Sequence, residues 1–170
     1  MAHKEQIEFC QSIKKQYPDY FIKKNVLDAG SLDINGNNRY LFKGCQYTGI
    51  DLGPGKNVNI VCPMHEYNPG IHYDFIISTE MLEHDKYYHL SLMKIFDLVK
   101  SGGAIIITCA TGFRQEHGTI EKYPESSPFT NDYYRNVQYD DISFYLPEGK
   151  FSKYLIQTSL VDLFFFGIKY

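Results

Sequence analysis

Two short apolar runs that each end in a carboxylate carry the first chemical signal in this chain: Val26-Leu27-Asp28, which leads into Ala29-Gly30, and Tyr47-Thr48-Gly49-Ile50-Asp51. A glycine just past the first run lets backbone approach a ligand closely, and Asp51 could accept two hydrogen bonds from a ribose diol. The distance from Asp28 to Asp51 fits the separation of about 20 residues between the glycine loop and the ribose-binding acid of a nucleoside-binding βαβ unit. Two other groupings could handle protons. Glu83-His84 follows the apolar run from Asp74 to Ser78, and Arg114-Gln115-Glu116-His117-Gly118-Thr119 follows the run from Ala104 to Cys109. An imidazole that titrates near neutrality can take a proton from an acceptor, so His117 is the first candidate base and His84 the second. Arg114 and Glu116 are candidate substrate contacts, with solvated loop side chains as the plain alternative. Tyr133 and Tyr134 could line an aromatic acceptor lid or simply pack their loop onto the body.

These residues need a scaffold. Residues 3 to 17 place Ile7, Cys10, Ile13 and Tyr17 at helical intervals among charged residues, which predicts an amphipathic helix ended by Pro18, covering a sheet edge and without chemistry of its own. Strands are expected over Val26 to Asp28, Tyr47 to Asp51, Val58 to Val61 and Asp74 to Ser78, with a brief helix from Asn37 to Phe42 that Asp33 could cap. A longer helix is expected from Asp85 to Lys100, with Tyr88, Leu92, Ile95, Phe96 and Val99 on one stripe and Gly102-Gly103 as its stop. Ala104 to Cys109 is apolar throughout and belongs at a sheet centre. After a loop of about 30 residues, long enough to suggest function, Asp140-Asp141 can cap a short helix. Tyr154 to Thr158 and Asp162 to Lys169 are too close in sequence for a parallel crossover, so as neighbours they must pair antiparallel. The expected fold is α/β: a Rossmann-like, doubly wound, mostly parallel sheet with a C-terminal antiparallel pair and helices on both faces.

In such a sheet, ligands sit beyond the carboxyl ends of the strands near the switch in strand order. Gly30, Asp51, Met64 with His65, and Ser78 to Glu80 occupy those ends. The loop misses the G-x-G-x-x-G dinucleotide fingerprint, because Leu32 stands where the second glycine would be; a nicotinamide-dependent enzyme is therefore disfavoured. The chain instead resembles the class I S-adenosylmethionine (SAM)-dependent methyltransferases, in the variant whose first motif reads Gly-Ser-x-Asp-x-Asn-Gly, here Gly30 to Gly36. Tyr73 to His84, Leu98 to Gly103 and Ala104 to Cys109 agree with that family in order, and together the segments span roughly residues 25 to 112. The resemblance implies SAM as cofactor, with Asp28 and the Gly30 loop on the methionine portion and Asp51 on the ribose. It also implies Leu52, Met64 and His65 near adenine, and Ser78 and Thr79 at the methionyl end. For Met64 and His65 a purely structural role stays open. Neither a metal nor a covalent intermediate is required for transfer from a sulfonium.

At 170 residues a single domain spanning 1–170 is expected, and the closing antiparallel strands make the fold read as complete. A net charge of -3 gives no overall attraction to nucleic acid. The four cysteines show no C-x-x-C spacing, which points to reduced thiols rather than a zinc site or disulfide framework. The N-terminus lacks a leader pattern and no apolar run is long enough for a membrane span, so a cytoplasmic location away from membranes is expected. Tyrosine (15) and phenylalanine (12) are abundant while tryptophan is absent, and many of these rings follow residue 112, where they could wall a pocket. The expected reaction is methyl transfer to a small, polar or carbohydrate-like molecule, at oxygen, because Ser78-Thr79-Glu80-Met81 stands where amine-methylating families carry Asn-Pro-Pro-Tyr or Asp-Pro-Pro-Tyr. A homodimer or a partner protein could supply surface for a larger substrate. The alternative is a non-catalytic SAM-fold module acting within a complex.

Overall fold

The computed structural model describes residues 3–130 and 132–170; Met1 and Ala2, part of the segment read for a leader, and Asn131 in the long loop lie outside them. Seven strands form one sheet: β1 (Asn25–Ala29), β2 (Gln46–Asp51), β3 (Ile60–Val61), β4 (Tyr73–Thr79), β5 (Val99–Ala110), β6 (Phe151–Thr158) and β7 (Asp162–Lys169). Their order is β3-β2-β1-β4-β5-β7-β6. The pairs among β1 to β5 are parallel, and β7 runs antiparallel to both β5 and β6. The order reverses between β1 and β4, where Ala29 lies opposite Ile50 on one side and Ser78 on the other.

Burial on both faces explains the uniformly apolar strands. Successive side chains point to opposite faces, so Val26, Phe75, Ile77 and Ile106 meet Phe9, Cys10 and Ile13 of helix α1 (Lys4–Gln16). Leu27, Ile76, Ile105 and Ile107 meet Leu92 and Ile95 of α2 (Tyr88–Leu98) and Ile142 of α3 (Tyr139–Tyr145). The helix expected to cover an edge therefore packs on a face. Among the described residues no helix is long and apolar enough to cross a membrane.

Several boundaries differ from the expectation. The helix expected over Asp85 to Lys100 is the shorter α2, preceded by a 3₁₀ turn at Leu82–His84. Asp85 instead accepts the Tyr87 amide through Oδ1 at 2.8 Å. Gly102-Gly103 does not stop the helix, because β5 starts at Val99 and contains both glycines. Gly102 has φ +74°, and a Cβ on Gly103 would sit 2.8 Å from a Val99 methyl, so the pair allows an irregularity in the strand. The strand expected at Val58 to Val61 is only Ile60–Val61, since Asn59 reaches Gly49 by backbone and side chain, each at 2.8 Å. The brief helix is a 3₁₀ turn, Arg39–Leu41, whose first amide is accepted by Asn37 rather than by Asp33. Asp33 accepts the Gly36 amide and pairs with Lys56, each at 2.8 Å. At α3 the cap is Gln138, with Asp141 completing a capping box.

Candidate functional site

The chain leaves β1 through Gly30, whose φ of +81° disfavours any side chain; a Cβ there would lie 2.6 Å from Cβ of Met81. The amides of Gly30 and Ser31 both donate to the Ile50 carbonyl at 3.0 Å, folding the loop onto β2. Leu32 donates its amide to Asp51 Oδ2 at 3.0 Å. Asp28 sits beneath this loop, buried, with Oδ2 accepting from the Tyr47 hydroxyl at 2.5 Å and Asn57 Nδ2 at 3.4 Å. Its Oδ1 has no hydrogen-bond partner among the described residues. Burial pushes the Asp28 carboxyl up to about 7, against the pull of the Tyr47 hydroxyl. Burial raises Asp51 too, opposed by the amides of Leu32 and Gly53.

A cavity of about 480 Å³ opens at these strand ends, and Asp28, Gly30, Asp51, Leu52, Met64, His65 and Thr79 line it. That volume lies in the range of small-molecule sites. Gln6 of α1 also reaches the wall, donating to Asn38 Oδ1 at 3.2 Å, and Asn38 donates to Thr79 Oγ1 at 2.8 Å. The long loop after β5 returns over the cavity through Ser126 to Thr130 and Tyr133. Phe129 lies against Gly53 so closely that a Cβ there would come within 2.0 Å of the ring.

The far wall is built by the end of β4. Glu80 adopts a positive φ of 54°, a strained conformation for a side-chain-bearing residue, and its amide donates to the Thr108 carbonyl at 2.8 Å. Its Oε1 accepts from the Thr108 hydroxyl at 2.8 Å, and Oε2 lies 3.5 Å from His3 Nε2. Burial raises this carboxyl, but the opposing contacts, His3 first and the Thr108 hydroxyl among them, together outweigh it and hold Glu80 at about 2. Glu83 is fully buried and neither oxygen has a hydrogen-bond partner among the described residues. Burial, reinforced by the Glu80 charge, pushes it up to about 8. His84 lines the cavity with Nδ1 unpartnered; burial, helped by the adjacent His117, lowers it to about 3. The His84 ring packs edge-on against His117, centroids 4.9 Å apart, and against Tyr134 at 5.5 Å. Burial lowers His117 as well, while Nδ1 donates to the Gln115 carbonyl at 3.0 Å.

A family model described as a methyltransferase domain matches residues 1–164. The chain belongs to this methyltransferase family. No curated protein matches the chain in sequence. Solved structures show the same fold at low identity. The 1,6-didemethyltoxoflavin-N1-methyltransferase of Burkholderia thailandensis, bound to its substrate and S-adenosylhomocysteine (SAH), has a TM-score of 0.65 at 16% identity, over 96% of this chain and 77% of that one. Phosphoethanolamine N-methyltransferase 2 of Haemonchus contortus, with SAH and phosphomonomethylethanolamine, gives 0.63 at 18% identity, over 94% of this chain and 52% of that one. The chain thus spans about half the length of the Haemonchus protein. The N-terminal domain of EvdMO1, determined in the presence of SAH and D-fucose, gives 0.66 at 12% identity, over 100% of this chain and 85% of that one.

Not every residue singled out from the sequence reaches the cavity of this methyltransferase. Tyr133 and His84 line it, but His117 and Tyr134 stand one layer behind, packed on His84. Ser78 is fully buried, its hydroxyl 3.8 Å from the Met81 sulfur, and is not in the wall. The Arg114 guanidinium turns away to Asp162, with His3 at 3.1 Å, and Glu116 pairs with Lys122 at 3.4 Å outside the cavity. Gln6, Asn38, Tyr47 and Asn57 were not anticipated. Their role depends on partners distant in sequence, and no local pattern marks them.

Proposed function

We propose that the chain transfers a methyl group from SAM to a small polar acceptor, with a carbohydrate-like hydroxyl as the acceptor group. The observation that carries the reading is the pair of strand-end acids at the switch in strand order: Asp28, with one unpartnered buried oxygen, and Asp51, both lining a cavity of ligand size. A buried carboxylate oxygen without a partner is costly, and the ammonium of a methionine moiety is the donor that would satisfy it. Asp51 keeps acceptor capacity beyond the Leu32 amide for a ribose diol. Leu52, Met64 and His65 line the cavity beyond β2 and β3, where they would flank an adenine, and Thr79, on the wall at the end of β4, would face the methionyl end. When bound, SAM supplies an electrophilic methyl on a sulfonium, so the protein's work is alignment and exclusion of water.

The acceptor end is framed by His84, Asp85, Lys86 and Tyr133 with the returning loop. Its polar lining supports a hydroxylated acceptor, and the SAH-bound fold relatives, one determined with D-fucose, support the cofactor and keep a sugar in view. His84, lowered to about 3, is a poor store for a proton, and His117 stands behind it, outside the cavity. The test is calorimetric titration with SAH for wild type and Asp51→Ala, with NAD as control, followed by turnover of a panel of sugars, nucleotide sugars and amines. SAH binding that the substitution weakens, no NAD binding, and turnover of hydroxylated compounds are the expected results. Absence of SAH binding would overturn the cofactor reading, and exclusive turnover of amines would overturn the oxygen acceptor.

A further inference from the structure

Glu83 presents a problem that methyl transfer does not resolve. Its carboxylate is fully buried and neither oxygen has a hydrogen-bond partner among the described residues. A buried carboxylate in that condition is normally neutralised, paired or bound to a metal ion. A second buried atom without a partner lies beside it, Nδ1 of His84. The third group, His117, is oriented from behind: its Nδ1 donates to the Gln115 carbonyl at 3.0 Å, which leaves Nε2 as a free lone pair. A backbone carbonyl holding the opposite ring nitrogen is the usual support of a metal-binding histidine.

We propose that Glu83, His84 and His117 form a divalent transition-metal site just behind the cavity wall at His84. One ligand atom from each residue lies within 4.8 Å of the other two. Ligands at about 2.0 to 2.2 Å from a zinc-like ion sit closer together than that, so a contraction of about 1 Å is needed. The elements are arranged to allow it. Glu83 and His84 are fixed on one 3₁₀ turn, pinned by the Arg135 amide donating to the Glu83 carbonyl at 2.8 Å, while His117 belongs to the half-exposed loop. Gly118 lets that loop lie close, since a Cβ at its φ of +70° would meet Cε1 of His84 at 2.7 Å. Two imidazoles and one carboxylate suit zinc, iron, cobalt or manganese better than magnesium or calcium, and leave coordination positions open. The other nearby cluster, His3, Glu80 and Asp162, already has the Arg114 guanidinium as its cation.

The functional consequence rests on the methyltransferase reading above. His84 lines the cavity while His117 stands behind it, so the ion would sit behind the wall at His84 and brace that wall against the returning loop. The experiment separates the two ideas. Untagged protein, stripped with a chelator, is titrated with Co²⁺ and followed by its visible d–d absorption, then with Zn²⁺ in competition, while SAH is titrated calorimetrically in parallel. One ion per chain is expected, with affinity reduced at least about tenfold in both His117→Ala and Glu83→Gln and with SAH affinity retained in His117→Ala. Should Glu83→Gln fail to fold, His117→Ala, on the loop, still decides. SAH binding without stoichiometric Co²⁺, Zn²⁺, Mn²⁺ or Fe²⁺ would overturn the site alone, as would ion binding that His117→Ala leaves unchanged. Ion binding of the expected kind without SAH binding would uphold the site and overturn the cofactor reading.

Discussion

Replacing Asp28 by Asn should stabilise the ligand-free protein at alkaline pH while abolishing its affinity for SAH. The carboxyl has an ordinary value of 3.8 and is pushed by burial up to about 7 in the fold. A carboxyl raised on folding binds its proton more tightly in the native state, so the native state is penalised as pH climbs from the unfolded value, and the penalty is complete above the folded one. At 1.36 kcal/mol per unit, that penalty reaches about 4 kcal/mol above neutrality, is about 2 kcal/mol near pH 5, and vanishes where both states are protonated. Asn keeps the shape and an acceptor for the Tyr47 hydroxyl but carries no charge. Urea unfolding of wild type and Asp28→Asn at about pH 5 and about pH 8 should therefore show the stability difference moving in the variant's favour by about 2 kcal/mol. A difference that stays constant within about 0.5 kcal/mol across that range would refute the account of Asp28 as a buried, poorly compensated charge. The same substitution removes the anion that an incoming ammonium would meet, so stability and binding should move in opposite directions, as they do where a site is built at the expense of the fold.

If Asp51 accepts from the ribose hydroxyls as proposed, Asp51→Ala should weaken SAH binding by about 1 to 3 kcal/mol in calorimetry with little change in melting temperature. Tyr47→Phe removes the closest donor to Asp28; the carboxyl should then titrate still higher, and the pH above which SAH binds tightly should rise, a shift absent from the profile if Tyr47 is only packing. Gly30→Ala meets both the +81° backbone and Met81; it should cost about 1 to 3 kcal/mol in denaturation and weaken SAH as the loop is displaced.

The strands were readable because each lies between two apolar layers, which leaves Phe75-Ile76-Ile77 and Ile105-Ile106-Ile107 with no polar face to confuse the period. The end of α2 was not, because Val99 continues the helical stripe although the backbone has already entered β5. Glycine has two meanings there, helix stop and strand irregularity, and only the packing of Gly103 against Val99 selects the second. The same division runs through the site. Asp28 and Asp51 stand at strand ends, where topology alone fixes their place. Arg114 looked available because its partner Asp162 lies 48 residues away on β7. Gln6 looked like one more polar residue of an amphipathic helix, and its link to Asn38 spans 32 residues.

This division also separates the two halves of the cavity mechanically. The half proposed for the cofactor hangs from β1, β2 and β4, and the buried interiors of β1 and β4 let the sheet set its geometry. The half proposed for the acceptor is closed by a loop fixed mainly at its ends. Val137 donates to Ala110 at 2.9 Å, Arg135 donates its amide to Glu83 at 2.8 Å and clamps Asp141 at 2.7 Å, and Asn136 donates to the Gly112 and Arg114 carbonyls at 3.0 Å. Between these anchors, Ser126 to Thr130 reach the cavity from a stretch held largely by its own short-range hydrogen bonds. Loops on a rigid scaffold are where specificity can vary without disturbing the fold. Acceptor choice in this methyltransferase should accordingly respond to substitutions at Ser127, Phe129 and Thr130 that leave SAH affinity near wild type, whereas changes at Asp28, Gly30 or Asp51 should affect every acceptor alike.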